Sequence, residues 1–253
     1  MTAPIIHATE ECAYFLDLDG TLLHLEETPS LVVPSRAVST LVETLYRSSD
    51  GAVALITGRA LADVDRLFPD RRLPAAGQHG LERRAANGVV SRHAGPVRPL
   101  NQARRMLADI VARHPRLLLE DKGLSLALHY RRAPRLASFA TRAMHSIQSA
   151  LGDQYCLHRG KRVVELVPAG RNKGLAIAAF MREAPFRDRV PVFIGDDVTD
   201  EHGFAVVERL HGYGVKVGPG PTMAKWRLSD VRAVRAWLEG RRPMLQRSTS
   251  PRF

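Results

Sequence analysis

The stretch Ala13-Tyr14-Phe15-Leu16-Asp17-Leu18-Asp19-Gly20-Thr21 decides the fold. Four apolar residues, two of them aromatic, stop at a pair of carboxylates and a glycine. That pattern predicts a buried strand delivering Asp17 and Asp19 to the loop at its C-terminal end. It returns twice. Residues 51–56 (GAVALI) run into Thr57-Gly58-Arg59 ahead of a helical stretch over 61–68. Residues 190–194 break at Gly195-Asp196-Asp197, followed by Val198-Thr199-Asp200-Glu201 and a helix reaching Leu210. A further helix fits 36–48 and a further strand 215–217. Strands that each present polar residues at their C-terminal ends describe an open parallel α/β sheet of Rossmann-like type, with a ligand crevice along that edge.

The middle of the chain reads differently. Its pattern gives a helix over 100–113, strands over 117–120 and 124–130, a helix over 134–151, and strands over 155–158 and 163–167. This αββαββ order predicts a small antiparallel sheet backed by two helices, an α+β unit inserted as a lid over the crevice. The expected limits are 1–98 for the first part of the core, 99–168 for the insert and 169–240 for the second part. The polar tail 241–253, with two prolines, is expected to be disordered.

The 253 residues suffice for a main domain and a smaller one. A 45% hydrophobic and 25% charged composition excludes a disordered chain. Cys12 and Cys156 have neither zinc nor redox spacing, which points to a reducing compartment. No stretch reaches the ~18 apolar residues of a membrane span, and the N-terminus lacks a basic, apolar leader, so a cytoplasmic enzyme without membrane contact is expected. The net charge of +11 raises the question of nucleic acid. The basic pairs, Arg83-Arg84, Arg104-Arg105 and Arg131-Arg132 among them, are scattered and lack interleaved aromatics, so no nucleic-acid partner is expected. A non-catalytic, basic nucleic-acid-binding protein is the alternative from a different class.

Two carboxylates as close as Asp17 and Asp19 repel unless a cation lies between them. A hard divalent ion, Mg²⁺, meets that need, with Asp196 as the third carboxylate. Asp17 is then the candidate nucleophile toward phosphorus, and Asp19 the candidate acid for the leaving group and base for water. Thr57 through its hydroxyl, Gly58 through its N–H and Lys173 through its ammonium can surround the phosphoryl oxygens. Read singly, each has a bland counterpart: DxD as a turn, Thr57-Gly58-Arg59 as a helix start, and Asn172-Lys173-Gly174 as a solvated turn before a helix over 175–181.

Together, Asp17-Leu18-Asp19-Gly20-Thr21-Leu22, Thr57-Gly58-Arg59, Lys173 and the run Gly195-Asp196-Asp197-Val198-Thr199-Asp200-Glu201 resemble the motifs of the haloacid-dehalogenase-like (HAD) phosphatases. The resemblance implies a HAD core with a C2-type cap. It also implies Mg²⁺ held by Asp17, Asp19 through its carbonyl, and Asp196, with Asp197 and Asp200 holding the metal's waters or orienting Lys173. Within that superfamily the chain is most similar to the trehalose-6-phosphate phosphatases, through GDDxTDE at 195–201, Gln78-His79-Gly80, LSLALHYR at 124–131 and 164–168 running into Asn172-Lys173-Gly174. That similarity implies hydrolysis of a small sugar phosphate, with Lys122, Glu165, Arg59, His79 and Arg131 as sugar-binding candidates. A hairpin turn for Lys122 and an ion pair with Arg162 for Glu165 are the plainer alternatives. A phosphatase for sucrose or hexose phosphate, or a phosphosugar mutase, uses the same core.

Overall fold

Strand β1 (Cys12–Leu16) is buried along its whole length, as expected of a run without charged side chains in a central parallel strand. Its side chains alternate between faces. Cys12, Tyr14 and Leu16 join one apolar cluster, Ala13 and Phe15 another. In chain order there follow α1 (Arg36–Ser48), β2 (Val53–Ile56), α2 (Leu61–Leu67), β3 (Ala75–Gly77), β4 (Glu82–Arg84) and β5 (Val90–Arg92). Next come α3 (Val97–Arg113), β6 (Leu118–Asp121), β7 (Leu126–His129), α4 (Ala137–Leu151), β8 (Tyr155–Gly160) and β9 (Val163–Pro168). The chain continues with α5 (Lys173–Phe180), β10 (Val190–Gly195), α6 (Glu201–Arg209), β11 (Tyr213–Val217), β12 (Trp226–Leu228), α7 (Val231–Leu238) and β13 (Gln246–Arg247).

The computed structural model describes residues 11–25, 34–70, 72–240 and 246–247. The chain divides into two compact units, one of residues 1–91 and 172–253 and one of 92–171. In the first, the sheet order among the described residues is β13-β12-β11-β10-β1-β2-β3-β4-β5. Strands β12 through β3 in that order run parallel, and β4 and β13 run antiparallel to their neighbours. Side chains of α1, α2 and α7 cover one face, and those of α5 and α6 the other. On the second face Phe15, Phe180 and Phe186 form a ring cluster with centroids 5.0–6.0 Å apart. Because β1 lies between β2 and β10, the chain reverses its direction of winding there, and such a switch point opens a crevice at the strands' C-terminal ends.

The second unit is a four-stranded antiparallel sheet, order β6-β7-β9-β8, with α3 and α4 packed on one face through Leu107, Met144, Leu126, Leu128 and Leu166. Helix α3 begins three residues before its expected start. Pro99 falls in its first turn, where no helical hydrogen bond needs an N–H. Helix α5 likewise begins at Lys173, not Leu175. The Asn172 side chain accepts from Leu175 N–H at 2.9 Å and so turns the expected solvated turn into a capped helix start. The tail expected to be disordered lies outside the described residues, except for 246–247, which pair with β12.

Candidate active site

Each apolar run ends where the sheet stops, and the polar residues follow at once. Asp17 leaves β1 with its N–H donating to Ile194 O at 3.0 Å. Thr57 follows β2, and Asp196 follows β10. Three backbone hydrogen bonds fold the loop after Asp17 back on Leu18, whose carbonyl accepts from the N–H groups of Thr21, Leu22 and Leu23. Gly20 sits there at φ +85°, and a Cβ on it would lie 2.1 Å from Asp196 Oδ2. The glycine is therefore what lets the β10 loop approach the β1 loop.

Asp17 is 4% exposed. Its Oδ1 accepts from Lys173 Nζ at 2.7 Å and its Oδ2 from Thr21 Oγ1 at 3.1 Å. Lys173, 2% exposed, also donates to Asp200 Oδ1 at 2.6 Å. A cation at a helix N-terminus opposes the helix dipole, and the two carboxylates offset that cost here. Burial disfavours the ammonium, yet Asp17 and Asp200 outweigh it and hold Lys173 above the usual lysine range. Burial pushes the Asp17 carboxyl well above the usual carboxylate range; Lys173 opposes the rise, while Asp200 and Asp196 add to it.

Carboxylate oxygens of Asp17, Asp196 and Asp200 lie within 4.8 Å of one another. This all-oxygen set of three buried carboxylates can coordinate a divalent metal, and three carboxylates against the single Lys173 ammonium fit one. Asp200 has a second task. Its Oδ2 accepts from the N–H groups of Asp196 and Asp197 at 2.9 and 2.8 Å, which fixes the loop. Asp197 accepts from Val198 N–H at 2.8 Å as the cap of the following turn.

Asp19 is held by Arg59 through two bonds of 2.7 Å, Nε to Oδ2 and Nη2 to Oδ1. Arg59 is itself buried, so its fork fixes the plane of the carboxylate. Thr57 Oγ1 accepts from Arg59 N–H at 3.1 Å, which keeps the hydroxyl proton for another acceptor. His79 is buried with its ring over Gly58.

In the second unit, Glu165 and Lys122 are brought together at 3.0 Å, and Ser125 Oγ donates to Glu165 at 2.7 Å. The partner of Glu165 is thus Lys122, not Arg162, and Lys122 is more than a turn solvated by water. Arg131 lies beyond the other end of β7, donating to Lys161 O at 3.3 Å. His129 and Glu120 pair at 2.7 Å. Burial of Glu120 is outweighed by the His129 bond and Lys122, which hold its carboxyl below the usual range.

Three residues escaped the sequence reading. Thr21 belongs to the first motif without a role. Lys216, on β11, is buried and donates to the carbonyls of Asp196 and Val217; its membership in a set of only five lysines in a chain of 32 arginines was the available signal. Glu82 accepts from Leu61 N–H at 2.9 Å and had no signal at all.

Residues 15–232 match the trehalose-phosphatase family. The trehalose-6-phosphate phosphatase of Escherichia coli (strain K12) is 45% identical over 243 residues, covering 94% of this chain and 91% of that protein. Among solved structures, the C-terminal domain of the C. albicans trehalose-6-phosphate phosphatase shares the fold with a TM-score of 0.82 at 22% identity, over 91% of this chain and 92% of that one. A haloacid dehalogenase-like hydrolase from Bacteroides thetaiotaomicron does so with a TM-score of 0.64 at 14% identity, over 91% and 98%. Since the match runs from β1 into α7, through both units, the chain belongs to the trehalose-phosphatase family.

Proposed function

We propose that the protein hydrolyses trehalose 6-phosphate to trehalose and phosphate with Mg²⁺, through an aspartyl phosphate on Asp17. The observation that carries the chemistry is the buried Asp17 carboxylate, fixed at 2.7 Å from Lys173 among two further carboxylates. The substrate comes from the relatives, whose names agree over most of the chain.

In the first half-reaction a carboxylate oxygen of Asp17 forms a bond to phosphorus as the bond from phosphorus to the sugar oxygen breaks. Asp19 gives its proton to that leaving oxygen, because an alkoxide is too basic to depart alone. In the second half, Asp19 takes a proton from water, which attacks the phosphorus and returns Asp17 to a carboxylate. In the resting structure both Asp19 oxygens accept from Arg59, so this fork must release one oxygen for Asp19 to carry a proton in each transfer. Thr57, Gly58 and Lys173 donate to the phosphoryl oxygens, where loss of a single donor costs about 3 kcal/mol of barrier. Asp17, Asp196 and the Asp19 carbonyl are the proposed holders of Mg²⁺, with Asp200 aiming Lys173 and Asp197 capping the loop. Bound Mg²⁺ supplies positive charge that neutralises the carboxylates and the phosphoryl oxygens. Lys122 and Glu165 of the second unit are the proposed sugar-recognising pair; Arg131 of that unit and Arg59 and His79 of the first are further candidates.

The test is phosphate release from trehalose 6-phosphate beside sucrose 6-phosphate, glucose 6-phosphate and mannose 6-phosphate, with Mg²⁺ and after rigorous chelation. The expected result is Mg²⁺-dependent release with kcat/KM highest for trehalose 6-phosphate. Equal or better turnover of another sugar phosphate would overturn the substrate, and full activity without metal would overturn the cofactor.

A further inference from the structure

The turn joining β3 to β4 is built in a backbone conformation that side chains avoid. Gln78, His79 and Gly80 have φ of 46°, 57° and 98°, three left-handed residues in succession. Its contacts account for the shape. Gln78 N–H donates to Arg59 O at 2.8 Å and His79 N–H to Thr57 O at 3.0 Å. A Cβ on Gly58 would lie 2.8 Å from His79 Nε2, and one on Gly77 would lie 2.7 Å from Arg59 O. On its other side, a Cβ on Gly80 would lie 2.9 Å from the carbonyl of Asn172, the residue that caps α5 directly before Lys173. Past the turn, the buried Glu82 accepts the N–H of Leu61, the first residue of α2, at 2.9 Å.

The turn therefore touches the Thr57-Gly58-Arg59 loop on one flank and the start of α5 on the other. Its contacts are backbone to backbone or pass over a glycine, so they leave little slack. We propose that segment 77–82 is a wedge that sets the spacing between the Thr57 and Gly58 donors and Lys173. Glu82 is its positioning residue, fixing the far end of the loop through Leu61 N–H. This role rests on reading Thr57, Gly58 and Lys173 as donors to a phosphoryl group.

The experiment uses the full chain with Mg²⁺ and the variants Glu82→Ala and Glu82→Gln. It measures kcat and KM on trehalose 6-phosphate and p-nitrophenyl phosphate, the Kd of orthovanadate by calorimetry, and thermal unfolding. Misplacing the donors by a fraction of an ångström should lower kcat/KM of Glu82→Ala by about 10- to 100-fold on both substrates alike, mostly in kcat. Orthovanadate binding should weaken by a comparable factor. Glu82→Gln, whose amide oxygen still accepts from Leu61 N–H, should stay within about threefold of the parent. Two results overturn the wedge: Glu82→Ala with kcat/KM and orthovanadate affinity within about twofold of the parent despite a lowered Tm, or Glu82→Gln as impaired as Glu82→Ala. Should Glu82→Ala not fold, Glu82→Asp, one methylene short of Leu61 N–H, is judged by the same criteria. A parent that cleaves p-nitrophenyl phosphate but not trehalose 6-phosphate refutes the substrate alone, and the wedge is then judged on p-nitrophenyl phosphate and orthovanadate.

Discussion

A β-carbon at Gly20 would have to share space with Asp196 Oδ2, in a backbone already at φ +85°. Gly20→Ala should therefore push Asp196 out of the carboxylate cluster. The expected outcome is a loss of at least about 100-fold in kcat/KM together with a smaller Tm gain on adding Mg²⁺, read by phosphate release and thermal scans. An unchanged Mg²⁺ response would show that Asp196 tolerates the shift. Asp17 gives a pH dependence whose sign can be worked out. Its folded-state pKa is raised, chiefly by burial, so the folded protein keeps a proton that the unfolded chain releases. Without metal, this group's contribution to stability is undiminished below the ordinary carboxylate pKa. It falls as pH rises toward the folded-state value. Mg²⁺ competes with that proton, so the Tm gain from Mg²⁺ should grow as pH rises above the ordinary carboxylate range. The dependence should flatten in Asp17→Asn, and an equal gain at every pH in the parent would contradict the assignment.

At the scale of elements, what could be read from the sequence followed from burial. Strands β1, β2 and β10 are covered on both faces, so they appear as continuous apolar runs, and the loops that follow them stand out as polar breaks. Strand β4 hides because Glu82 and Arg84 are charged yet buried, the first by Leu61 N–H and the second by Asp65 and the Leu73 carbonyl. Those partners are up to 21 residues distant, beyond any local periodicity. Glu165 shows the same limit. A neighbour such as Arg162 was the partner its local sequence suggested, whereas the ladder sets Glu165 opposite Ala127 and the β6–β7 turn brings in Lys122, 43 residues away. If the Lys122–Glu165 pair recognises sugar hydroxyls, Glu165→Gln should lose about tenfold or more in kcat/KM on trehalose 6-phosphate and stay within about threefold on p-nitrophenyl phosphate. A purely stabilising ion pair instead gives similar losses on both substrates with a lower Tm.

For the whole molecule, the parallel α/β core with an α+β insert was legible because its order of elements is unusual: apolar strands ending in polar loops on either side of an αββαββ block. Short strands such as β3, β5 and β12, three residues each, left no such trace, and neither did α7. The carboxylate cluster was legible as motifs. The resemblance already implied that Asp200 orients Lys173; that its carboxylate also lies within the cluster of Asp17 and Asp196 only the fold reveals. Among the described residues no helix is long and apolar enough to cross a membrane. The net charge of +11 finds no use in the site. Covalent catalysis by Asp17 is tested most directly by mixing the protein with Mg²⁺ and trehalose 6-phosphate radiolabelled in its phosphoryl group, quenching in acid within the first turnover, and mapping the label. The expected result is an alkali-labile phosphoryl group on the peptide that contains Asp17, absent from Asp17→Asn, which also releases no phosphate. Normal phosphate release by Asp17→Asn, or label found only on another residue of the parent, would contradict it.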